Sequence, residues 1–222
     1  MSLERRQRSV RLFDLSLIVL SAPVWVPLIV LVAVVVLVTS GRPIFFSQER
    51  IGRGRRPFVM VKFRTMQTGP NPIVPDQSRI TPFGRLLRRT SLDEMPQLFN
   101  VITGDMSLVG PRPMLPALGN RVARGDAVRF AVRPGLTGVA QVNGRNAISW
   151  QERIGYDQQW VDEVSVRAAA KVLAQTARVV VSGEGISGHD PDDPLIATAP
   201  ITEPIGIDDV LPDVERPDRK AA

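Results

Sequence analysis

The N-terminal residues 1–14 are polar and basic, with Arg5, Arg6, Arg8 and Arg11, whereas Leu15–Val38 contains no charged residue. Those 24 residues would span about 36 Å as a helix, against a hydrocarbon core of about 30 Å, so the pattern predicts membrane insertion. The run is longer than a signal-peptide core and no A-x-A site follows it, which argues against a cleaved signal. Pro23 and Pro27 argue against a simple spanning helix, because each removes a backbone hydrogen bond at a cost of about 3 kcal/mol. Ser21 stands beside them, where its hydroxyl could satisfy a freed carbonyl. Basic residues also flank the run on both sides: the four N-terminal Arg before it, and Arg42, Arg50, Arg53, Arg55, Arg56, Lys62 and Arg64 after it. Since both flanks favour the cytoplasmic face, the expectation is a re-entrant helix-break-helix hairpin that enters and leaves by one side.

Beyond the run the periodicity changes. Ile44–Phe46 and Phe58–Val61 read as strands around the turn-rich stretch IGRGRRP, and residues 69–78, with three Pro and one Gly, read as a loop. Thr81 followed by Pro82 is an N-cap signal, and Phe83, Leu86 and Leu87 have helical spacing. A second helix start falls at Ser91, after which Gly104, Gly110, Pro111 and Pro113 break the chain into loops. Ser149–Ser182 reads as mostly helical, opening on a capping box of Ser149 and Glu152. Its segment Val172–Val181 is apolar enough to lie on a membrane. The expected fold is α/β, mostly α, and membrane-associated. It divides into a membrane-inserted residue 1–40 segment, a cytosolic catalytic domain over 41–186 with amphipathic interfacial helices, and a Pro- and Asp-rich disordered tail over 187–222.

Charge and composition narrow the chemistry. The whole chain carries +6; its tail from Ser187 holds nine acidic and three basic residues, a balance of −6, so residues 1–186 carry +12. A basic body implies an anionic partner: nucleic acid, anionic lipid or a phosphorylated substrate. With no Cys and a single His, disulfides, thiolate metal sites and His-based catalysis are excluded or disfavoured. Carboxylates, Arg, Lys, hydroxyls and a hard metal ion remain.

Residues 89–113, RTSLDEMPQLFNVITGDMSLVGPRP, concentrate the chemical signals. If Ser91 caps a helix, Asp93 is N2 and Glu94 is N3, and two readings share this spacing. In one, Ser91 and Glu94 form a capping box and Asp93 complements the helix dipole. In the other, free N–H groups at the helix start, with Arg85, Arg88 and Arg89 upstream, gather phosphate around an ionised Asp93 able to attack phosphorus. Glu94 could then hold Mg²⁺, which binds through one or two carboxylates plus substrate phosphates. Pro96, at N5 of such a helix, would leave the Leu92 carbonyl unpaired and make the turn irregular. No P-loop, G-x-G-x-x-G or H-E-x-x-H pattern is present.

SLDEMPQLFNVITGDMSLVGPRP, with KFRTM at 62–66 and RPGLTGVAQVNGR at 133–145, resembles the bacterial sugar transferase family, the small monotopic phosphoglycosyl transferases. The apolar run interrupted at Ser21-Ala22-Pro23 resembles that family's re-entrant membrane helix, and the resemblance extends over roughly residues 8–186. It implies a two-step reaction. Asp93 attacks the β-phosphate of a UDP-sugar and releases UMP. The phosphosugar then passes from Asp93 to polyprenol phosphate, the first membrane step of glycoconjugate or exopolysaccharide synthesis. The resemblance assigns Mg²⁺ to Glu94 and a nucleotide-linked position to Arg112. Lys62, Arg64, Arg88, Arg145 and Asp157 join Arg112 as candidates for substrate contact. It implies a bacterial inner membrane with the catalytic domain on its cytoplasmic face. Membrane lipid is then a further partner and nucleic acid is not; a homodimer is left open.

Each candidate also has a plainer role. Lys62, Arg64 and Arg88 could face anionic lipid, Arg112 could stiffen a loop, and Arg145 could sit in a solvent-facing turn. Asp157 could be a helix-surface carboxylate, and Asp105 reads as a turn residue. A membrane-tethered nucleic-acid binder and a noncatalytic scaffold are the rival functions. The low aromatic content, 5%, speaks against the first, and an essential Asp93 would speak against both.

Overall fold

A computed structural model describes residues 2–67, 79–119, 122, 124–144 and 148–182. The expected loop at 69–78 and the tail from Ser187 lie outside the described residues.

The apolar run forms part of a single helix α1, Leu3–Ser40, about 57 Å long. It continues through Pro23 and Pro27 without dividing into two, so the expected break is not seen. The prolines free the carbonyls of Val19 and Pro23, and Ser21 bonds neither of them, contrary to expectation; side chains bond earlier carbonyls. Ser21 donates to the Leu17 carbonyl at 2.6 Å, and the Trp25 indole donates to that of Ile18 at 2.9 Å. One stripe of α1 is buried: Gln7, Val10, Asp14 and Ile18 in its first half, then Ile29, Val32 and Val36 in its second. The opposite side exposes Leu12, Val19, Leu20, Val24, Val30, Leu31, Val34 and Val38. By length and composition α1 could cross a membrane.

Strands β1, Phe45–Ile51, and β2, Pro57–Phe63, pair antiparallel, with Phe45 opposite Phe63 and Ile51 opposite Pro57. The Arg-rich stretch is their connection, a 3-10 turn at Arg53–Arg55. Helix α2, Pro82–Arg89, starts as expected: the Thr81 hydroxyl accepts from the Gly84 amide at 2.9 Å. Phe63 and Leu87 pack with Ile29, Val32 and Val36 under the second half of α1.

Past the 3-10 turn Leu92–Glu94 come α3, Gln97–Thr103, and β3, Ser107–Val109. A short α4, Pro116–Gly119, and a 3-10 segment, Arg124–Ala131, lead to β4, Gly135–Thr137, which pairs parallel with β3. Then follow α5, Val139–Val142, α6, Trp150–Glu163, and α7, Val166–Ser182. The Ser149–Glu152 capping box is present at the start of α6. The main core gathers Val10 and Ile18 of α1 with Val101, Met106, Val109, Trp160, Val164, Ala169 and Val172. Val172 of the expected membrane-facing segment thus points into protein, because α7 packs on α1, α5, β3 and β4.

Candidate active site

Three separate stretches of chain meet at Glu94. Lys62 comes from β2, Glu94 from the 3-10 turn and Arg112 from the loop after β3. The Lys62 ammonium is 2.6 Å from Glu94 Oε1, and Arg112 Nη2 donates to the same oxygen at 2.8 Å. Asp93 beside it is 8% exposed. Among the described residues its carboxylate takes no hydrogen bond or ion pair; Lys62, Arg88 and Arg112 act on it only as neighbouring charges.

Local backbone explains why this turn is not the expected helix start. Ser91 adopts the left-handed conformation with φ 58°, which costs a residue with a Cβ about 1–2 kcal/mol. A capping serine needs extended backbone, so Ser91 makes no side-chain cap and the Ser91–Glu94 capping box is absent. Asp93 and Glu94 therefore lie on a 3-10 turn rather than at N2 and N3 of an α-helix. Pro96 is the residue before α3, and the Leu92 carbonyl accepts from the Met95 amide at 3.3 Å instead of staying unpaired. Positive charge at the site comes from side chains more than from a helix dipole.

The two carboxylates differ in electrostatics. For Glu94 burial pushes the carboxyl up, but Arg112 and Lys62 together outweigh it and hold the group well below the usual carboxylate range. For Asp93 burial prevails: it raises the carboxyl, Lys62 opposes, Glu94 adds to the rise, and Arg88 and Arg112 oppose further. Burial likewise lowers the Lys62 ammonium, against the pull of Glu94. The site thus offers a firmly ionised Glu94 next to a buried Asp93 that is unpaired among the described residues.

The loop that carries Arg112 is tied by four successive carbonyls. Pro111 accepts from the Gly135 amide at 2.9 Å, Arg112 from Arg129 Nη2 at 2.9 Å, Pro113 from Arg50 Nη1 at 3.2 Å, and Met114 from the Ile51 amide at 2.9 Å. Gly110, Gly135 and Gly138 pack backbone to backbone beneath it, where a Cβ on any of them would land on backbone of another. This joins the VGPRP and RPGLTG segments into one unit.

Of the residues named from sequence, Lys62, Asp93, Glu94 and Arg112 come together. Arg88, on α2, adjoins Asp93 and donates from Nε to the Thr65 hydroxyl at 2.9 Å. Arg64 does not join them. Its guanidinium donates to the carbonyls of Ser40, Gly41 and Arg42, closing the C-terminus of α1, where orphan carbonyls and the negative dipole end favour a cation. Asp157 is not a surface carboxylate: it is 3% exposed, on α6, with Oδ2 3.2 Å from Arg129 Nη2. Arg145 lies outside the described residues. Asp105 accepts from the Thr103 hydroxyl at 2.8 Å, as suits a turn residue after α3.

Arg50 and Arg129 escaped the sequence reading. Nothing separates Arg50 from the other Arg of its strand and turn, yet burial chiefly, with Arg112 nearby, lowers its guanidinium to about 10. Arg129 did carry a signal: it is the lone charge in the apolar stretch Ala127–Val132.

The donor set fits Mg²⁺ in a limited way. Glu94 uses only Oε1 among the described residues, which leaves Oε2 and the Asp93 carboxylate as hard oxygens. Mg²⁺ commonly needs no more from protein than one or two carboxylates.

Comparisons with known proteins show the family of the chain. The family described as bacterial sugar transferase matches residues 5–183. The sugar transferase EpsL of Bacillus subtilis (strain 168) is 43% identical over 179 residues, covering 79% of this chain and 89% of that protein. The exopolysaccharide production protein ExoY of Sinorhizobium fredii is 32% identical, covering 80% of this chain and 87% of that protein. The UDP-glucose:undecaprenyl-phosphate glucose-1-phosphate transferase of Escherichia coli (strain K12) is 35% identical over 78% of this chain, which spans only 39% of that longer protein. A family match over most of the chain, joined to relatives of its own length, shows that this protein belongs to the bacterial sugar transferase family, and so is a transferase.

Proposed function

We propose that this enzyme moves a sugar-1-phosphate from a UDP-sugar to a polyprenol phosphate, with Asp93 as a covalent nucleophile. The observation that carries it is a buried Asp93 carboxylate, unpaired among the described residues, within a group of cations that includes Lys62, Arg88 and Arg112. The names of several relatives, which join a UDP-sugar or galactose donor to undecaprenyl phosphate, support the substrate classes.

In the first step an Asp93 oxygen forms a bond to the β-phosphorus as the bond to the bridging oxygen breaks, and UMP leaves with that oxygen. In the second a polyprenol phosphate oxygen attacks the acyl phosphate, restores the Asp93 carboxylate and gives polyprenol diphosphate sugar. Lys62, Arg88 and Arg112 neutralise the anions brought to Asp93, a role for charges fixed in advance. Glu94 would hold Mg²⁺, which supplies charge neutralisation on the diphosphate. Otherwise Glu94 orients Lys62 and Arg112 through their shared oxygen.

We also propose that α1 enters the cytoplasmic leaflet of the inner membrane from one side. The same protein body packs on both of its halves, and its opposite face is apolar. Exposed Leu86, Phe99 and Ile102, on α2 and α3, would extend that contact. An acceptor lipid could then be used without extraction from the bilayer, at about 0.8 kcal/mol per CH₂.

The test uses full-length protein with Mg²⁺ and a panel of UDP-sugars, without polyprenol phosphate. The expected result is UMP release and an added phosphosugar mass that Asp93→Asn lacks. Turnover only after polyprenol phosphate is added, with no adduct, would replace the covalent route by direct transfer. Silence in both settings would favour a noncatalytic role.

A further inference from the structure

Beside the Arg112 backbone lies a buried ion pair. Arg129 and Asp157 are each 3% exposed, and Arg129 Nη2 is 3.2 Å from Asp157 Oδ2. The same nitrogen donates to the Arg112 carbonyl at 2.9 Å. The guanidinium carbon lies 5.2 Å from the centre of the Trp150 ring and 6.0 Å from that of Phe130, so aromatic faces hold its position. The Arg112 side chain, 44% exposed, turns the other way and binds Glu94.

A buried ion pair adds little stability over an apolar replacement, and is often kept for something else. Among the described residues, the Arg129 guanidinium of the pair reaches the backbone carbonyl of Arg112, whose own guanidinium meets Glu94. Arg side chains lose considerable rotamer freedom on binding, so an anchored backbone lowers the cost of presenting one.

We propose that Asp157 and Arg129 are positioning residues for Arg112. Asp157 orients Arg129, Arg129 fixes the Arg112 carbonyl, and the Arg112 guanidinium is thereby held ready for the diphosphate of the nucleotide donor. This rests on the donor reading above, and it makes Asp157 a support two contacts removed from substrate rather than a ligand.

The test is a double-mutant cycle on the affinity of the full chain in detergent for UDP with Mg²⁺, read by titration calorimetry. Asp157→Asn should weaken binding by about 10- to 100-fold, the range for removing an outer support of a binding group. In the Arg112→Ala background it should add less than about twofold, because the group it positions is gone. Arg129→Lys, which keeps the charge beside Asp157, should fall between the unsubstituted chain and Arg129→Met. If Asp157→Asn does not fold, Arg129→Lys carries the same comparison. Penalties that add fully in the Arg112→Ala background would overturn the inference, since Asp157 or Arg129 would then act on donor directly or on the whole fold. Failure of the unsubstituted chain to bind UDP would instead strike the donor reading itself.

Discussion

At the scale of residues, the adjacent carboxylates Asp93 and Glu94 are driven apart by what surrounds them. Glu94 shares one oxygen between Lys62 and Arg112 and stays ionised; Asp93, buried without a direct partner among the described residues, is raised. A nucleophilic carboxylate works only when ionised, so activity should rise with pH through the raised Asp93 value. The acid limb of kcat/KM should therefore lie above an ordinary Asp, about 3.9. Arg88→Met removes a charge that lowers Asp93 and should move that limb to still higher pH. A pH–rate profile checks this: a limb that stays put or moves down would mean that a different group titrates.

At the scale of elements, the packed glycines matter most. Gly135 sits against Gly110 where parallel strands β3 and β4 meet, and a methyl there would strike the Gly110 amide and the Thr137 carbonyl. Gly135→Ala should force the strands apart at roughly 1–3 kcal/mol, the usual cost of overpacking. For a chain of this size that is a fall of roughly 2–12 °C in melting midpoint, measurable by thermal unfolding in detergent. Donor binding should weaken as well, since the Gly135 amide also holds the Pro111 carbonyl next to Arg112. Arginines serve the helices in a related way. Arg64 closes the end of α1, and Arg11 closes that of α3 by donating to the Val101 and Ile102 carbonyls.

At the scale of the whole molecule, the body extends along α1. Arg6 donates to the Asp162 carbonyl near one end of the helix, and Arg64 to that of Ser40 at the other. A perpendicular crossing would carry packed protein surface through the hydrocarbon, where lipid-exposed irregular backbone is not tolerated. The chain has no native Cys, so single Ser9→Cys and Ser47→Cys variants report the two flanks cleanly. An impermeant maleimide should label both from the cytoplasmic side only. Labelling from opposite sides would establish that α1 crosses.

Local signals determined a good deal without any structure. The uncharged run Leu15–Val38, the strands around IGRGRRP, the Thr81 and Ser149 caps and the Asp93-Glu94 pair all depend on neighbours within a few residues, which is the range at which sequence pattern acts. The continuity of α1 past two prolines was decided by packing along both of its halves, because tertiary burial outweighs the loss of single hydrogen bonds. Tertiary structure also decided which charges meet. Lys62 and Arg112 reach Glu94 from 32 and 18 residues away, Arg64 turns to a helix end, and Asp157 is buried against Arg129. Charge type can be read along a chain, but the partner of a charge depends on distances in space. Only the fold brings β2, the 3-10 turn and the Pro111-Arg112-Pro113 loop to one point.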